Sequence, residues 1–189
     1  MAKTFATMDA RRVFANLKHI HFTPWKNEAE APTTESNTYD ITEVVADTTS
    51  LEQAENDINS LDHEFSSAPL YENVQLGEKT FTCESIDLQN KVLAALFGWT
   101  EVEGNVYAPV AYTDLYCTVE MAFNSTEDIV VLPKVKLNSR AVIASMKTDA
   151  SRATISGTCY PAFVNGKETD MAIIKGTTEY TVTATETGA

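Results

Sequence analysis

Residues Leu115–Met146 read LYCTVEMAFNSTEDIVVLPKVKLNSRAVIASM. Leu115–Phe123 and Ile129–Leu137 are rich in β-branched and aromatic residues, and Asn124–Asp128 between them is a cluster of turn formers. Asn138-Ser139 separates the second run from a third, Ala141–Met146. Apolar runs of strand length with turn chemistry at both gaps predict consecutive antiparallel strands. The pattern continues on either side, with Tyr107–Ala111 before it and Arg152–Phe163, Glu168–Ile174 and Tyr180–Thr185 after it. Val164-Asn165-Gly166-Lys167 is a hairpin signal, because Asn-Gly tolerates the positive φ angles of a two-residue type I′ turn.

Upstream, Lys79–Glu84 alternates Thr80 and Thr82 against Phe81 and Cys83, as a half-buried strand does. Asp87 then caps a helix over residues 87–97 whose Leu88, Val92, Ala95 and Leu96 share a face, with Gly98 where a left-handed terminal residue is wanted. The fold class expected is α+β and mainly β: an antiparallel β-sandwich with one flanking helix over residues 77–189, preceded by a helical and loop N-terminal extension over residues 1–76.

The extension is expected to contain a helix over residues 7–18, with Thr7 as cap, and a polar linker over residues 27–38. A short strand follows at Tyr39–Ala46. A second helix is expected at Ser50–Asp62, where Ser50 and Gln53 make a capping box and Leu51, Ala54, Ile58 and Leu61 recur at spacings of three and four. Its narrow apolar stripe and acidic opposite face suit docking on a neighbour.

Charge narrows the function. The 189 residues hold 14 Lys and Arg against 27 Asp and Glu, a formal net charge of -13, and such a field opposes phosphate-gripping contacts with nucleic acid. The charge is uneven: +4 over residues 1–26, -14 over residues 27–90 and -3 over the remainder. Cys83, Cys117 and Cys159 lie far apart with no CxxC pair, so buried free thiols are expected instead of a disulfide framework. The N-terminus lacks the apolar core of a secretory signal, no stretch has the length of a membrane anchor, and cytoplasmic synthesis is the expectation.

Catalytic machinery is not apparent. GxSxG, HExxH, Walker and GxGxxG motifs are missing, and seven glycines form no phosphate-cradling loop. Glu101 with Glu103 and Glu127 with Asp128 fall in expected turns, where solvent keeps carboxylates ordinary. His19 and His21 would share a face if Ile20 lies in a strand, and His63 or Asp62 would be the nearest candidates for a third metal ligand. No catalytic, metal or cofactor residue is assigned. The acidic middle segment is either a solvated, solubilising stretch or the wall of a channel that passes a polyanion, since carboxylates keep DNA from sticking.

The stretch Lys79–Phe163, with strand KTFTCES, helix DLQNKVLAALFGW and the runs DLYCTVEMAF and IVVLPKVKLNSRAVIASM, resembles the tail tube proteins of bacteriophages. The ring proteins of short-tailed phages, crAss-like phages among them, are similar in the same loose sense. The resemblance covers less than half the chain and rests on element order, with no signature residue. It implies a virion structural protein of the phage tail, made in the host bacterial cytoplasm, that forms a cyclic homo-oligomer next to other tail, ring, portal or adaptor proteins. Genomic DNA would pass through without specific binding. On this reading Arg11, Arg12, Lys18, Leu51, Ile58 and Leu61 are the interface candidates, and Glu52, Glu55 and Asp57 the channel-lining candidates. The competing reading is a monomeric β-sandwich binding module for a protein or carbohydrate, displaying aromatics such as Trp99, Tyr107 and Tyr112.

Overall fold

Alternation of large apolar side chains along the middle of the chain forces strands whose two faces see different surroundings, and the architecture follows from where those faces go. The computed structural model describes residues 14, 16–33, 35–41, 43–61, 71–86, 90–103, 106–109, 114–142, 152–176 and 178–184. The chain runs through β1 (Leu17–Pro24), β2 (Tyr39–Ile41), β3 (Ser50–Gln53), β4 (Asp57–Leu61), β5 (Tyr71–Gln75) and β6 (Lys79–Ser85) to the helix α1 (Asn90–Phe97). After α1 come β7 (Trp99–Glu103), β8 (Val106–Pro109), β9 (Leu115–Phe123), β10 (Asp128–Leu137), β11 (Arg140–Val142) and β12 (Arg152–Tyr160). The last elements are β13 (Ala162–Val164), β14 (Lys167–Thr169), β15 (Ala172–Lys175) and β16 (Val182–Thr183). The protein is mainly β with antiparallel pairing throughout, as expected from the sequence.

The main sheet runs β2-β1-β9-β10-β12-β6-β3, with β11 on β12 and β15 on β10. It curls until its ends meet. Three residues past the end of β2, Val44 bridges to Ser85 of β6, with the Val45 amide donating to the Glu84 carbonyl at 2.8 Å and the Ile86 amide to the Glu43 carbonyl at 3.1 Å. Across the interior, Phe22 of β1 and Phe81 of β6 meet edge to face with centroids 6.0 Å apart, although three strands separate β1 from β6 along the sheet. The facing walls expected of a sandwich are thus opposite sides of one barrel-like sheet. Ile20, Phe22, Cys117, Val119, Leu132, Val135 and Ile155 fill it, and Val92 and Leu96 of α1 add to the same core.

A second layer lies outside the barrel. β13, β14 and β16 form a small sheet, and Val164, Val182 and Tyr180 pack with Val131 and Ile174. This layer explains why Tyr116 and Thr118 are buried although they point away from the barrel interior. The Asn165-Gly166 turn has φ of 51° and 75°, the left-handed pair that a type I′ hairpin requires.

β10 is the hub of both layers. On one edge it pairs with β9. On the other it pairs with β15 over residues 128–131 and with β12 over residues 134–137. At the change of partner stands Pro133, in a bulge where three steps along β10 match two along β9. The Pro133 carbonyl accepts from the Thr118 hydroxyl at 2.8 Å and the Trp25 Nε1 at 3.2 Å, and Lys134 Nζ lies 5.2 Å from the Trp25 ring centroid.

The structure departs from the sequence expectations in the N-terminal third. Most of the helix expected over residues 7–18, with Arg11 and Arg12, lies outside the described residues, and Leu17 and Lys18 begin β1. The helix expected at Ser50–Asp62 is instead β3 and β4, two strands paired with β6 and β5. The expected run Arg152–Phe163 is broken at Pro161 into β12 and β13, and Glu168–Ile174 divides into β14 and β15. Of the helix expected over residues 87–97, Asn90–Phe97 is present as α1, residues 87–89 with the Asp87 cap lie outside the described residues, and Gly98 follows it at φ 66°.

Gly157 on β12 is a close approach within the wall: a Cβ there would stand 2.5 Å from the Lys136 carbonyl oxygen and 2.6 Å from Val135 Cγ1. Gly157→Ala is expected to cost roughly 1 to 3 kcal/mol through overpacking. Urea unfolding checks this, as a lower midpoint with an unchanged slope.

Candidate assembly surface

β3 and β4 on one side, and β5 and β6 on the other, are two legs of a single ribbon. Every pair in both ladders obeys one register, from Ser50 opposite Thr82, through Gln53 opposite Lys79 and Asp57 opposite Gln75, to Leu61 opposite Tyr71. Between the ladders the Ala54 amide donates to the Glu78 carbonyl at 2.9 Å, and the Gly77 amide donates to the Asn56 side-chain oxygen at 3.1 Å. Gly77 is required there, because a Cβ would fall 1.9 Å from the Ala54 carbonyl oxygen. The first half of the ribbon lies in the barrel wall, where Leu51, opposite Phe81, packs on the core. The second half, β4 with β5, is a two-stranded sheet of its own.

Period-two alternation along this register puts Ile58 directly opposite Val74, with Leu76 two residues from Val74 on the same face. Ile58 is 60% exposed, Val74 48% and Leu76 75%. Isolated two-stranded ribbons are marginal in water, and an aliphatic cross-strand pair left in solvent stabilises this one only modestly. Among the described residues these three side chains form an exposed aliphatic patch.

The interface and channel candidates scatter along this ribbon. Leu51 is half-buried against the core, Ile58 is exposed on β4, and Leu61 sits at the far end of β4. Glu52, Glu55 and Asp57 are all exposed, Glu52 on β3, Glu55 between the strands and Asp57 at the start of β4. Lys18 is exposed at the start of β1, and Arg11 and Arg12 fall outside the described residues. Val74 and Leu76 were missed because their partner Ile58 is set by a non-local register; the only local signal is the alternation in Val74-Gln75-Leu76.

Opposite the ribbon's free end, the barrel opens into a cavity of about 890 Å³ lined by Leu17, Ile41, Val44, Leu51, Phe123 and Ile173, among others. Ser50 at the start of β3 also lines it. Ile58 follows eight residues further along the ribbon and is not among the lining residues. Lys18 and His19 border the mouth, as does Asp47.

The histidine pair lies on the outside of β1. His19 and His21 stack with ring centroids 4.3 Å apart, and His21 stands between Asp40 of β2 at 3.5 Å and Glu120 of β9 at 3.9 Å. Glu120 also accepts a hydrogen bond from the Tyr180 hydroxyl. Among the described residues no three metal-ligating side chains converge. Burial, then the neighbouring His21 charge, lowers the pKa of His19 below its ordinary 6.5, with Asp40 and Glu120 pulling the other way. The cysteines are buried, and desolvation pushes the thiols of Cys83 and Cys159 up to about 12 and that of Cys117 well above its ordinary value. None of the three is poised as a nucleophile.

Neither a protein-family model nor a curated protein matches this chain. A chain of the anti-feeding prophage baseplate, from a 6-fold symmetrised cryo-electron microscopy structure, is similar over 90% of this chain and 100% of its own, at 10% identity and a TM-score of 0.43. A likeness of that size carries no argument about what this chain does. No helix among the described residues is long and apolar enough to cross a membrane.

Two outcomes test this chemistry. The folded state takes up a proton at His19 less readily than the unfolded chain, so stability falls as pH is lowered through the ordinary histidine value. His19→Gln should flatten that part of the curve in urea titrations between about pH 7.5 and 5.5. In native protein the three thiols should resist an aromatic disulfide reagent, all three reacting once denaturant is added.

Proposed function

We propose that this protein is a structural component of a bacteriophage tail, assembling through its ribbon into a ring or tube layer that encloses a DNA channel. The observation that carries the reading is the exposed ribbon, which continues the register of the barrel wall and presents Ile58, Val74 and Leu76 to solvent. A subunit whose task is assembly needs such an element, because an extended apolar face gains its free energy on association instead of on folding. The order of strand, helix and hairpins over Lys79–Phe163 supports the same reading through its resemblance to tail tube proteins.

Electrostatics are consistent with it. Residues 27–90 carry -14, and Glu52, Glu55 and Asp57 are exposed along the ribbon. A wall of carboxylates repels phosphate and lets a duplex slide without specific contacts. The partners on this reading are further copies of the chain in a cyclic homo-oligomer, and adjacent tail, ring or portal proteins. It needs no cofactor and no catalytic step, and the mature protein would reside in the virion. The second reading, a monomeric binding module, is favoured by the barrel-mouth cavity, which has the dimensions of a small-ligand site.

The experiment is solution mass of the purified protein across concentration and salt, with negative-stain imaging of any large species. Closed rings or tubes with a central hole are expected, and their stability should fall at high salt if acidic and basic faces meet. The double variant Arg11→Glu with Arg12→Glu should weaken assembly in the same direction. A monomer at every concentration and salt would remove the ring reading and leave the binding module.

A further inference from the structure

Asn165 is the one asparagine in the sequence that is followed by glycine. An asparagine side-chain amide can be attacked by the backbone nitrogen of the next residue, and glycine hinders that attack least. Here Asn165 and Gly166 are both exposed at the tip of the β13–β14 hairpin, and a Cβ placed on Gly166 would meet nothing within 4 Å. The hairpin ladder is three residue pairs long, from Ala162 opposite Thr169 to Val164 opposite Lys167. A tip on so short a ladder opens locally at small cost. Opening frees the rotation about the Asn165 Cα–C bond that brings the Gly166 nitrogen to the side chain.

The neighbour of this turn sets it apart from a bare Asn-Gly sequence. The Asn165 side-chain oxygen accepts from the Thr181 amide at 2.9 Å and from the Thr181 hydroxyl at 3.4 Å. Both donors address the oxygen on which negative charge collects when its carbon is attacked, as in an oxyanion hole. The Asn165 amide in turn donates to the Thr181 carbonyl at 3.0 Å. These bonds extend the short ladder of β13 with β16, in which Phe163 lies opposite Thr183 and Val164 opposite Val182. Asn165 therefore fastens the segment whose Tyr180 and Val182 pack on Val131, Val164 and Ile174.

We infer that Asn165 is a self-modification site, its side-chain amide converted by water to aspartate or isoaspartate, and that the isoaspartate form unfastens β16. The Gly166 nitrogen bonds to the Asn165 side-chain carbon, the bond from that carbon to Nδ2 breaks, and Nδ2 leaves as ammonia with the Gly166 proton. The cyclic imide that remains takes up one water. Opening at the side-chain carbonyl gives aspartate. Opening at the main-chain carbonyl gives isoaspartate, with an extra methylene in the main chain and the carboxylate on Cα. Aspartate keeps an acceptor where Oδ1 stood, whereas isoaspartate lengthens a two-residue turn and moves the acceptor away from Thr181.

The full-length protein, held folded in mildly alkaline buffer and sampled by peptide mass spectrometry, should gain the mass of amide hydrolysis at Asn165 before Asn59, Asn124 or Asn138, each followed by serine. Thr181→Val should slow the gain roughly two- to tenfold, the worth of one hydrogen bond in the barrier. In hydrogen exchange the isoaspartate form should lose amide protection over residues 181–183, and Asn165→Asp should keep it. A chain that deamidates at Asn165 in urea but not when folded overturns the site, because the turn then shields the amide. An unchanged rate in Thr181→Val overturns the part given to Thr181. Equal protection in the isoaspartate and unmodified forms overturns the unfastening of β16.

Discussion

Proline has no amide hydrogen to give a neighbouring strand, and the architecture depends on where that missing donor falls. Pro133 lies inside the longest strand, at the one step where β10 changes partner from β15 to β12. In an uninterrupted ladder a proline there would leave a carbonyl without its reciprocal bond. Here Pro133 stands in the gap between two partner strands, where no acceptor calls for its missing donor, and its own carbonyl accepts from Thr118 and Trp25; Trp25 Nε1 also donates to the Thr118 hydroxyl at 3.0 Å. The gap on the β10 edge lets β12 leave at Pro161, form the small outer sheet and return as β15. The inner and outer cores thus share β9 and β10 as a common wall.

The same dependence shows in burial. A strand covered on one face alternates strictly, as β12 does with Ala153, Ile155, Gly157 and Cys159 turned inward. β9 does not: Tyr116, Cys117, Thr118 and Val119 are buried consecutively, because the outer layer covers what the barrel leaves exposed. Thr118 is tolerated there through its hydrogen bond to Pro133.

The strands of the second half were legible because their signals are local. Turn formers mark the ends of β9 and β10, Asn165-Gly166 selects its own hairpin, and Gly98 ends α1. The segment Ser50–Asp62 was misread for a physical reason. Ser50 and Gln53 form a capping box on paper, and Leu51, Ala54, Ile58 and Leu61 fit a helical stripe, yet each local preference is worth only a fraction of a kcal/mol to about 1 kcal/mol. Pairing with Tyr71–Gln75 and Lys79–Thr82 outweighs them, and burying Leu51 opposite Phe81 fixes the choice. β1 was hidden in the same way: its partners β9 and β2 lie far off or across a polar linker. Of the candidate site, Ile58 was legible as an apolar residue in an acidic segment, but its companions Val74 and Leu76 could be named only once the register was known.

That register has a consequence for how such a protein can change. Since one pairing rule holds from Ser50 and Thr82 out to Leu61 and Tyr71, gaining or losing one residue in a single leg would slip the outer half and turn its aliphatic face over. Two residues added to each leg would keep every side chain on its own face and carry the tip outward by about 7 Å. The ribbon is therefore a ruler graduated in paired steps. The reach of the ribbon could be reset along it by matched insertions, without redesigning the barrel beneath.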